Sequence, residues 1–541
     1  MYYLNRLRPG SDVDHRGTPI SEGLLRQLLD AVRDPATGDP LVNDASFRGA
    51  TFTGHAAFDG TTFTGGRAVF QGTTFTDGAG FYRVTFTGDA DFEGATFTKY
   101  AMFDEATFTG VAMFHGATLG GAMFQEASFT DLAVFEEATF TDRASFGGAT
   151  FIGHVAYYGA TFTSDAYFGG AKFEAAVQLG PLVCQGCLIL SGARFGGPVI
   201  IEAAARRLRC RRTQWDSTAA LRLRYATVDL SDAVCEYPLR VTARPLPFIG
   251  RAGAGASLAE GELRGCDAGV RMASLQGADA AHLVLHDVDL SACLLSGTVH
   301  LDQLRLEGEC PLAPTPSGLR RRGLFPVRWT VRRTLAEEQH WRRAQGLSGW
   351  TEAPSGVQVV GPAGLAPVYR QLRKSFEDSK NEPDAADFYY GEMEMRRYDR
   401  GRPRAERTLL ALYWAVSGYG LRASRALGWL LGSMAATVLV MMLWGLPQGD
   451  PKPATTGRLS GTDISLTTDK PDSLNPTGPL SSRLTAERWE KSLRVVVNSV
   501  VFRSSGQDLT TTGTYTEMAS RLAEPVLLGL AVLAIRGRVK R

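Results

Sequence analysis

Residues 95–108 read ATFTKYAMFDEATF, and this stretch decides the fold. Its three phenylalanines, Phe97, Phe103 and Phe108, stand six and five residues apart, each with an alanine two positions before it, at Ala95, Ala101 and Ala106. Outward in both directions, large apolar residues recur from Phe47 to Phe173 in steps that mostly alternate five and six. The core set is Phe52, Phe63, Phe75, Phe86, Phe97, Phe108, Phe129, Phe140, Phe151 and Phe162. An α-helix would scatter these rings over its whole surface, and a plain strand would repeat every second residue. A five-residue step fits a chain that turns a corner after each short extended piece. Four such steps close a square coil of about 20 to 22 residues. The rings fill the interior, the small alanines point inward beside them, and Thr, Gly and charged residues face water or form corners. At about 4.8 Å per coil, residues 47–173 make a rod roughly 27 Å long.

This pattern resembles the pentapeptide-repeat family, A(D/N)LXX, which implies a right-handed quadrilateral β-helix, a mainly β solenoid. The resemblance covers residues 43–200, with Phe in place of Leu and an extra residue in every second repeat. A second run, from Ala273 to Gly297, keeps the five-residue step through Leu275, Ala280, Leu285, Leu290 and Leu295. Residues 200–257 read as repeat-like with interruptions, and the solenoid is expected to resume over 258–308. Open solenoid ends need caps. A helix over Ser21–Val32, with Thr18 as N-cap, Pro19 at N1 and a stripe of Leu24, Leu25, Leu28, Leu29 and Val32, is the expected first cap.

Composition narrows the function classes. Lys+Arg 58 against Asp+Glu 56 excludes a polycation, and a mean hydropathy of −0.09 excludes a polytopic membrane protein. Glycine, 60 of 541 residues against an ordinary share of about 7%, belongs mainly to the repeat. The N-terminus has no apolar signal-peptide core. Seven cysteines, all beyond residue 183, argue against a secreted disulfide scaffold. Cys184 and Cys187 form a CxxC without a second pair at zinc spacing, and read as small buried residues. His55, His115 and His154 take outward positions without ligand-spaced partners. Residues 45–197 carry 14 acidic and 7 basic groups, a bias too mild for a phosphate-like array. No catalytic set, no metal site and no cofactor are expected, and nucleic acid is not expected as a partner.

Beyond Pro311, Pro314, Pro316 and Arg320–Arg322 the period becomes helical. Leu365, Val368, Tyr369, Leu372 and Phe376 make one amphipathic face, and a second helix follows from Ala385 to Arg397. This 365–397 hairpin is similar to a tetratricopeptide unit, and Tyr389, Tyr390, Glu392 and Glu394 on it form a candidate partner site. Ala426–Leu446 is uncharged and long enough to cross a bilayer, with Trp429 and Trp444 as interfacial anchors. Gly428, Gly432 and Ala436 give it a small-residue stripe for helix packing. A second span over 517–536 includes Arg521 and Glu524, which are three residues apart and are read as an intramembrane pair. Between the spans lie a flexible loop, 447–482, a short apolar helix over 486–502, and a turn at Thr511, Thr512, Gly513, Thr514 and Tyr515. This order resembles the two-helix pore module of potassium-type channels, without a TVGYG-like filter. The whole arrangement resembles actinobacterial membrane-associated pentapeptide-repeat proteins.

The domains expected are 1–42 (segment with capping helix), 43–200 (β-helix), 201–310 (second, interrupted section) and 311–425 (linker and helical region). They continue as 426–446 (first span), 447–516 (outer loop with its helix), 517–536 (second span) and 537–541 (basic tail). Basic flanks at 396–425 and 536–541 imply a two-pass bacterial plasma-membrane protein with both termini cytoplasmic. The leading expectation is a non-enzymatic, membrane-anchored scaffold. Its expected partners are membrane lipids, a protein docking on the β-helix or the 365–397 hairpin, and further copies of itself in a homo-oligomer. An ion channel or channel-derived sensor is the alternative, and a gyrase-binding DNA mimic the second.

Overall fold

The computed structural model describes residues 4–250, 258, 260–322, 325–448, 453–460, 463–469, 475–501 and 508–539. The chain divides into two compact units, 1–388 and 389–541.

In the first unit, thirty-six short strands from Ser11 to Glu307 pair into one continuous ladder, a β-solenoid of about 12 turns. Each Thr-Phe pair lies in parallel register with the pair one coil later. Phe63 faces Phe86, Phe86 faces Phe108, and Phe108 faces Phe129. The rings stack in columns: Phe86 on Phe108 at 5.0 Å between centroids, Phe108 on Phe129 at 4.8 Å, Phe129 on Phe151 at 4.9 Å. These distances match the spacing of paired strands, so ring stacking and backbone pairing satisfy the same repeat. The alanines beside the rings, such as Ala95, Ala101 and Ala106, are wholly buried. The coil is 22 residues where Phe86 meets Phe108 and 20 where Phe195 meets Trp215.

The polar positions of the repeat are structural. Some threonines that follow a ring bond the carbonyl of the ring one coil back, as in Thr76 Oγ1 to Phe52 O (2.9 Å) and Thr87 Oγ1 to Phe63 O (3.0 Å). Corners are not turned by glycine alone. Glu105, Glu126 and Glu137 also take left-handed φ of 57°, 58° and 56°. Gly120 is different: a Cβ there would lie 1.8 Å from the Lys99 carbonyl oxygen, so only glycine fits.

Three expectations need correction. Strands Ser11–Asp14 and Pro19–Ser21 pair with Leu41–Ser46 and Thr51–Thr53, so the solenoid begins in the N-terminal segment instead of at residue 43. Helix α1 (Glu22–Ala31) therefore sits inside the first coil. Its N-cap is Ser21, whose hydroxyl accepts from Leu24 N; Thr18 instead bonds His15 O, and Pro19 lies in a strand. Residues 201–243 are not an interrupted section, since Val199–Arg209, Ala219–Arg224 and Leu239–Ala243 stay in register. The interruption follows, and pairing resumes at Val270 instead of 258, with Val228 facing Met272. From this insertion, Phe248 and Leu263 pack on Val183 and Ala204 of the solenoid wall.

After the solenoid come α2 (Ala336–Ala344), which has no counterpart in the sequence reading, and α3 (Pro362–Asp378). Both close the C-terminal end of the rod. Glu337 of α2 accepts from the Leu295 and Ser296 amides, Ser375 of α3 donates to Leu304 O at 2.6 Å, and Lys374 pairs with Asp302 at 2.7 Å. These groups engage backbone and side chains of the last coils, which the open end would otherwise leave unpaired. The division between units falls within α4 (Glu382–Tyr398).

The second unit continues with α5 (Arg404–Ser417) and α6 (Ala423–Val440), which runs into a π-turn at Met441–Gly445. Residues 447–482 are not all loop, because Ala454–Ser460 and Asp463–Asp469 form an antiparallel hairpin. Helix α7 (Ala486–Val501) follows, then α8 (Thr511–Val539). Two helical segments, Ala423–Gly445 and Thr511–Ile535, are long and apolar enough to cross a membrane.

Candidate functional site

The carboxylates of the rod are drawn into its corners. Asp59 accepts from Tyr82 N (2.9 Å), Asp89 from Val111 N (3.0 Å), Asp104 from Gln125 N (2.8 Å) and Asp165 from Cys187 N (2.8 Å), each one coil on. Asp91 pairs with Arg67, and Asp77 with Lys99. The mild acidic bias therefore serves coil-to-coil pairing.

Cys184 continues the column of Phe140 and Phe162, with Ala205 beyond it. Burial pushes its thiol up to about 12. Cys187 lies past the next corner, also buried, and among the described residues no group of His, Cys, Asp and Glu has a metal-binding arrangement. His55, His115 and His154 stand on the solenoid surface, His154 against the Ala176 carbonyl at 3.0 Å.

A buried polar cluster of the first unit was not anticipated from the sequence. Glu338 on α2 is fully buried and receives Arg332 Nη2, Arg342 Nε (2.6 Å) and the Tyr369 hydroxyl. Arg342, 1% exposed, lies between Trp329 at 4.8 Å and Trp350 at 4.9 Å. Burial alone would push Glu338 up, but the two guanidiniums outweigh it and hold the carboxyl at about 2. Two cations share one carboxylate and two indole faces, which is how a buried charge becomes tolerable. The cluster ties the 329–350 segment to α3; it has no nucleophile and no opening for a substrate.

In the second unit, Tyr390, Glu392 and Glu394 of the candidate partner group on α4 are buried, and Tyr389 is half-buried. Tyr390 OH accepts from Trp414 Nε1 (2.8 Å), and Glu394 accepts from Tyr419 OH (3.0 Å) and pairs with Arg397 (2.8 Å). Glu392 is 2% exposed. Tyr390 builds a core with Met393, Leu410 and Tyr419, and Tyr389 packs against it.

The membrane residues divide likewise. Trp429 and Trp444 are exposed, and Trp429 Nε1 donates to Ala415 O at 3.2 Å. Gly428, Gly432 and Ala436 also face outward from the unit; α6 meets its neighbours with Ala426, Leu430 and Thr437.

The pore-like turn is corrected outright. Thr511, Thr512, Gly513, Thr514 and Tyr515 form the first turns of α8. Thr510 caps it: its hydroxyl accepts from Gly513 N (3.1 Å) and donates to Trp444 O (2.6 Å). A helix directs its carbonyls along its own axis, so these residues cannot line a filter. Gly513 has a packing reason, because a Cβ there would meet Gly445 O at 2.3 Å.

The second segment long and apolar enough to cross a membrane accordingly starts near 511 instead of 517. Arg521 and Glu524 do not pair with each other. Arg521 bonds Glu517, one turn back, at 2.7 Å, while Glu524 accepts from Thr437 of α6 at 3.0 Å. The spacing i, i+4 competes with i, i+3, and Glu517 wins the guanidinium. Sequence reading also missed Arg488 of α7, whose guanidinium donates to Met442, Leu446 and Pro447 carbonyls at 2.8–3.0 Å. It holds the ragged end of the first span, where the π-turn leaves carbonyls without helical donors.

A family profile described as pentapeptide repeats (9 copies) matches residues 42–85, 70–118 and 124–172. No curated protein and no solved structure matches the chain.

Proposed function

From the premise that this chain is a pentapeptide-repeat protein over residues 42–172, we propose that it is a non-enzymatic scaffold held in a membrane by α6 and α8. The observation that carries this reading is the apolar exterior of the two helices: Leu431 is 65% exposed, Leu522 76% and Val526 62%. A core helix of a soluble protein would bury them, since each Å² left in water forfeits about 25 cal/mol. Against lipid tails the same surface is favoured. The solenoid, whose coils from Phe47 to Trp215 are held by stacked rings, supplies a stiff rod that loses little entropy on binding a protein partner. The eight arginines between 396 and 425, and the basic tail, support a reading with both termini on the cytoplasmic side, near anionic headgroups.

The test uses single cysteines in intact cells, probed with a membrane-impermeant maleimide. The background is Cys266→Ser, because Cys266 is the exposed native thiol among the described residues. Ser465→Cys, in the hairpin between the spans, is expected to label, and Thr130→Cys, on the solenoid, is not. The opposite pattern would reverse the orientation. A chain that alkaline carbonate strips from the membrane fraction would end the anchor reading.

A further inference from the structure

This inference rests on the reading of α6 and α8 as membrane-crossing helices. Glu524 stands near the middle of the second span, 13 residues after Thr511 and 11 before Ile535. At 1.5 Å per residue, about 16–20 Å of helix separates it from either end. It is wholly inaccessible. Oε1 accepts from Thr437 Oγ1 of α6 at 3.0 Å, and Oε2 meets no donor among the described residues. On α7, Ser492 is likewise fully buried, with its hydroxyl unpartnered. Thr437 and Glu524 thus make a polar contact inside the packed α6–α8 pair.

Among the described residues, no cation of the unit is committed to this carboxyl. On α8, Arg521 is held by Glu517. On α6, no charged residue lies between Arg425 and the π-turn. On α7, Arg488 is spent on backbone carbonyls, Lys491 pairs with Glu487, and Arg494 pairs with Glu490. On α5, Arg407 donates to the Arg397 carbonyl, Glu406 receives Arg402, and Arg404 is exposed at the helix start. An ionised carboxylate here would have one neutral hydroxyl as its whole compensation, and mid-membrane charges of that kind are costly. A carboxylic acid has no such difficulty. It still accepts from Thr437, and its own proton turns Oε2 from an unsatisfied acceptor into a donor. Pro525, which brings no N–H, leaves the Arg521 carbonyl without an amide donor four residues on, so the helix itself keeps an acceptor in reserve at this level.

We propose that Glu524 is a proton-binding carboxyl inside the membrane hairpin, carrying one proton at neutral pH while α6 and α8 are packed. A buried, protonated carboxyl in an apolar setting reacts with apolar carbodiimides. The acid proton passes to one carbodiimide nitrogen as the carboxyl oxygen bonds the central carbon. Acyl migration to nitrogen then leaves a stable N-acylurea, and nothing is oxidised or reduced.

The experiment treats the full-length protein in phosphatidylcholine liposomes with dicyclohexylcarbodiimide across a pH series and maps the adducts by peptide mass spectrometry. The expected result is an adduct at Glu524, at least tenfold above that at Glu517, which falls as pH rises and is missing from Glu524→Gln. No adduct at Glu524, or one indifferent to pH, would overturn the proposal. Parallel liposomes are washed with alkaline carbonate. If the protein stays in the pellet and Glu524 is unlabelled, the proton site alone is wrong; if carbonate releases the protein, the site and the membrane reading fall together.

Discussion

Replacing Phe108 by alanine puts the stacking account at risk. Phe108 is 1% exposed, lies between Phe86 at 5.0 Å and Phe129 at 4.8 Å, and meets Phe103 at a tilt at 6.0 Å and Phe114 edge-on at 6.2 Å. Deleting a buried ring costs about 3–5 kcal/mol, of which each lost aromatic pair accounts for about 0.5–1.5. Leucine should cost only about 1–1.5 kcal/mol. The chain already places Leu119 in the adjoining column, between Phe97 and Phe140. Because each coil touches only its neighbours, the damage should stay local. Hydrogen exchange by mass spectrometry on the full-length protein reads this directly. Amides that bond across these coils, Thr109 N to Phe86 O and Thr130 N to Phe108 O, report the opening. At 1.4 kcal/mol per tenfold, Phe108→Ala should speed their exchange by about 10² to 4 × 10³, and Phe108→Leu by about tenfold. Coils around Trp215 should be unchanged. A leucine variant as damaged as the alanine one would refute the stacking account. Equal acceleration at Trp215 would refute the nearest-neighbour account.

Two further outcomes follow from the buried groups. Glu338→Ala leaves Arg332 and Arg342 uncompensated and should cost about 3–5 kcal/mol, seen as a lowered unfolding midpoint. The wild-type carboxyl falls from 4.5 to about 2 on folding, so its contribution is complete above pH 4.5 and drains away as pH drops toward 2. A near-ultraviolet circular dichroism titration should show Trp329 and Trp350 loosening in that window, and a flat signal there would contradict the ion cluster. Among the thiols, Cys266 should react with maleimide at once, while Cys184 and Cys235, pushed up to about 12 by burial, should wait for unfolding. A second fast label at Cys184 or Cys187 would be decisive against a buried CxxC.

Much of the rod was legible because a solenoid writes its contacts at a constant sequence separation. Phe63 and Phe86 meet for the same reason as Phe86 and Phe108, and the period is visible without knowing the fold. Where the period lapses, legibility lapses too. The first coil uses Val13 and Ile20, both buried, in place of rings, so its strands carried no signal. The insertion after Ala243 interrupts the count, although Val228 and Met272 still meet across it. Thr511–Tyr515 looked like a turn because Thr and Gly are weak helix formers. The cap at Thr510 and the close Gly445–Gly513 approach override that preference.

The amino-acid order by itself determined the coil, its inward phenylalanines and alanines, and the presence of two apolar spans, since each follows from a local period or a local run. Only the tertiary structure decided the partners of the buried charges. Glu337 reaches Leu295 and Ser296, Glu338 collects Arg332 and Arg342, Arg488 holds the end of the first span, and Glu524 finds Thr437 eighty-seven residues away. A carboxylate's choice among nearby donors depends on how helices are rotated and capped, and apart from the i, i+4 pair of Glu338 and Arg342 no spacing along the chain carries that information.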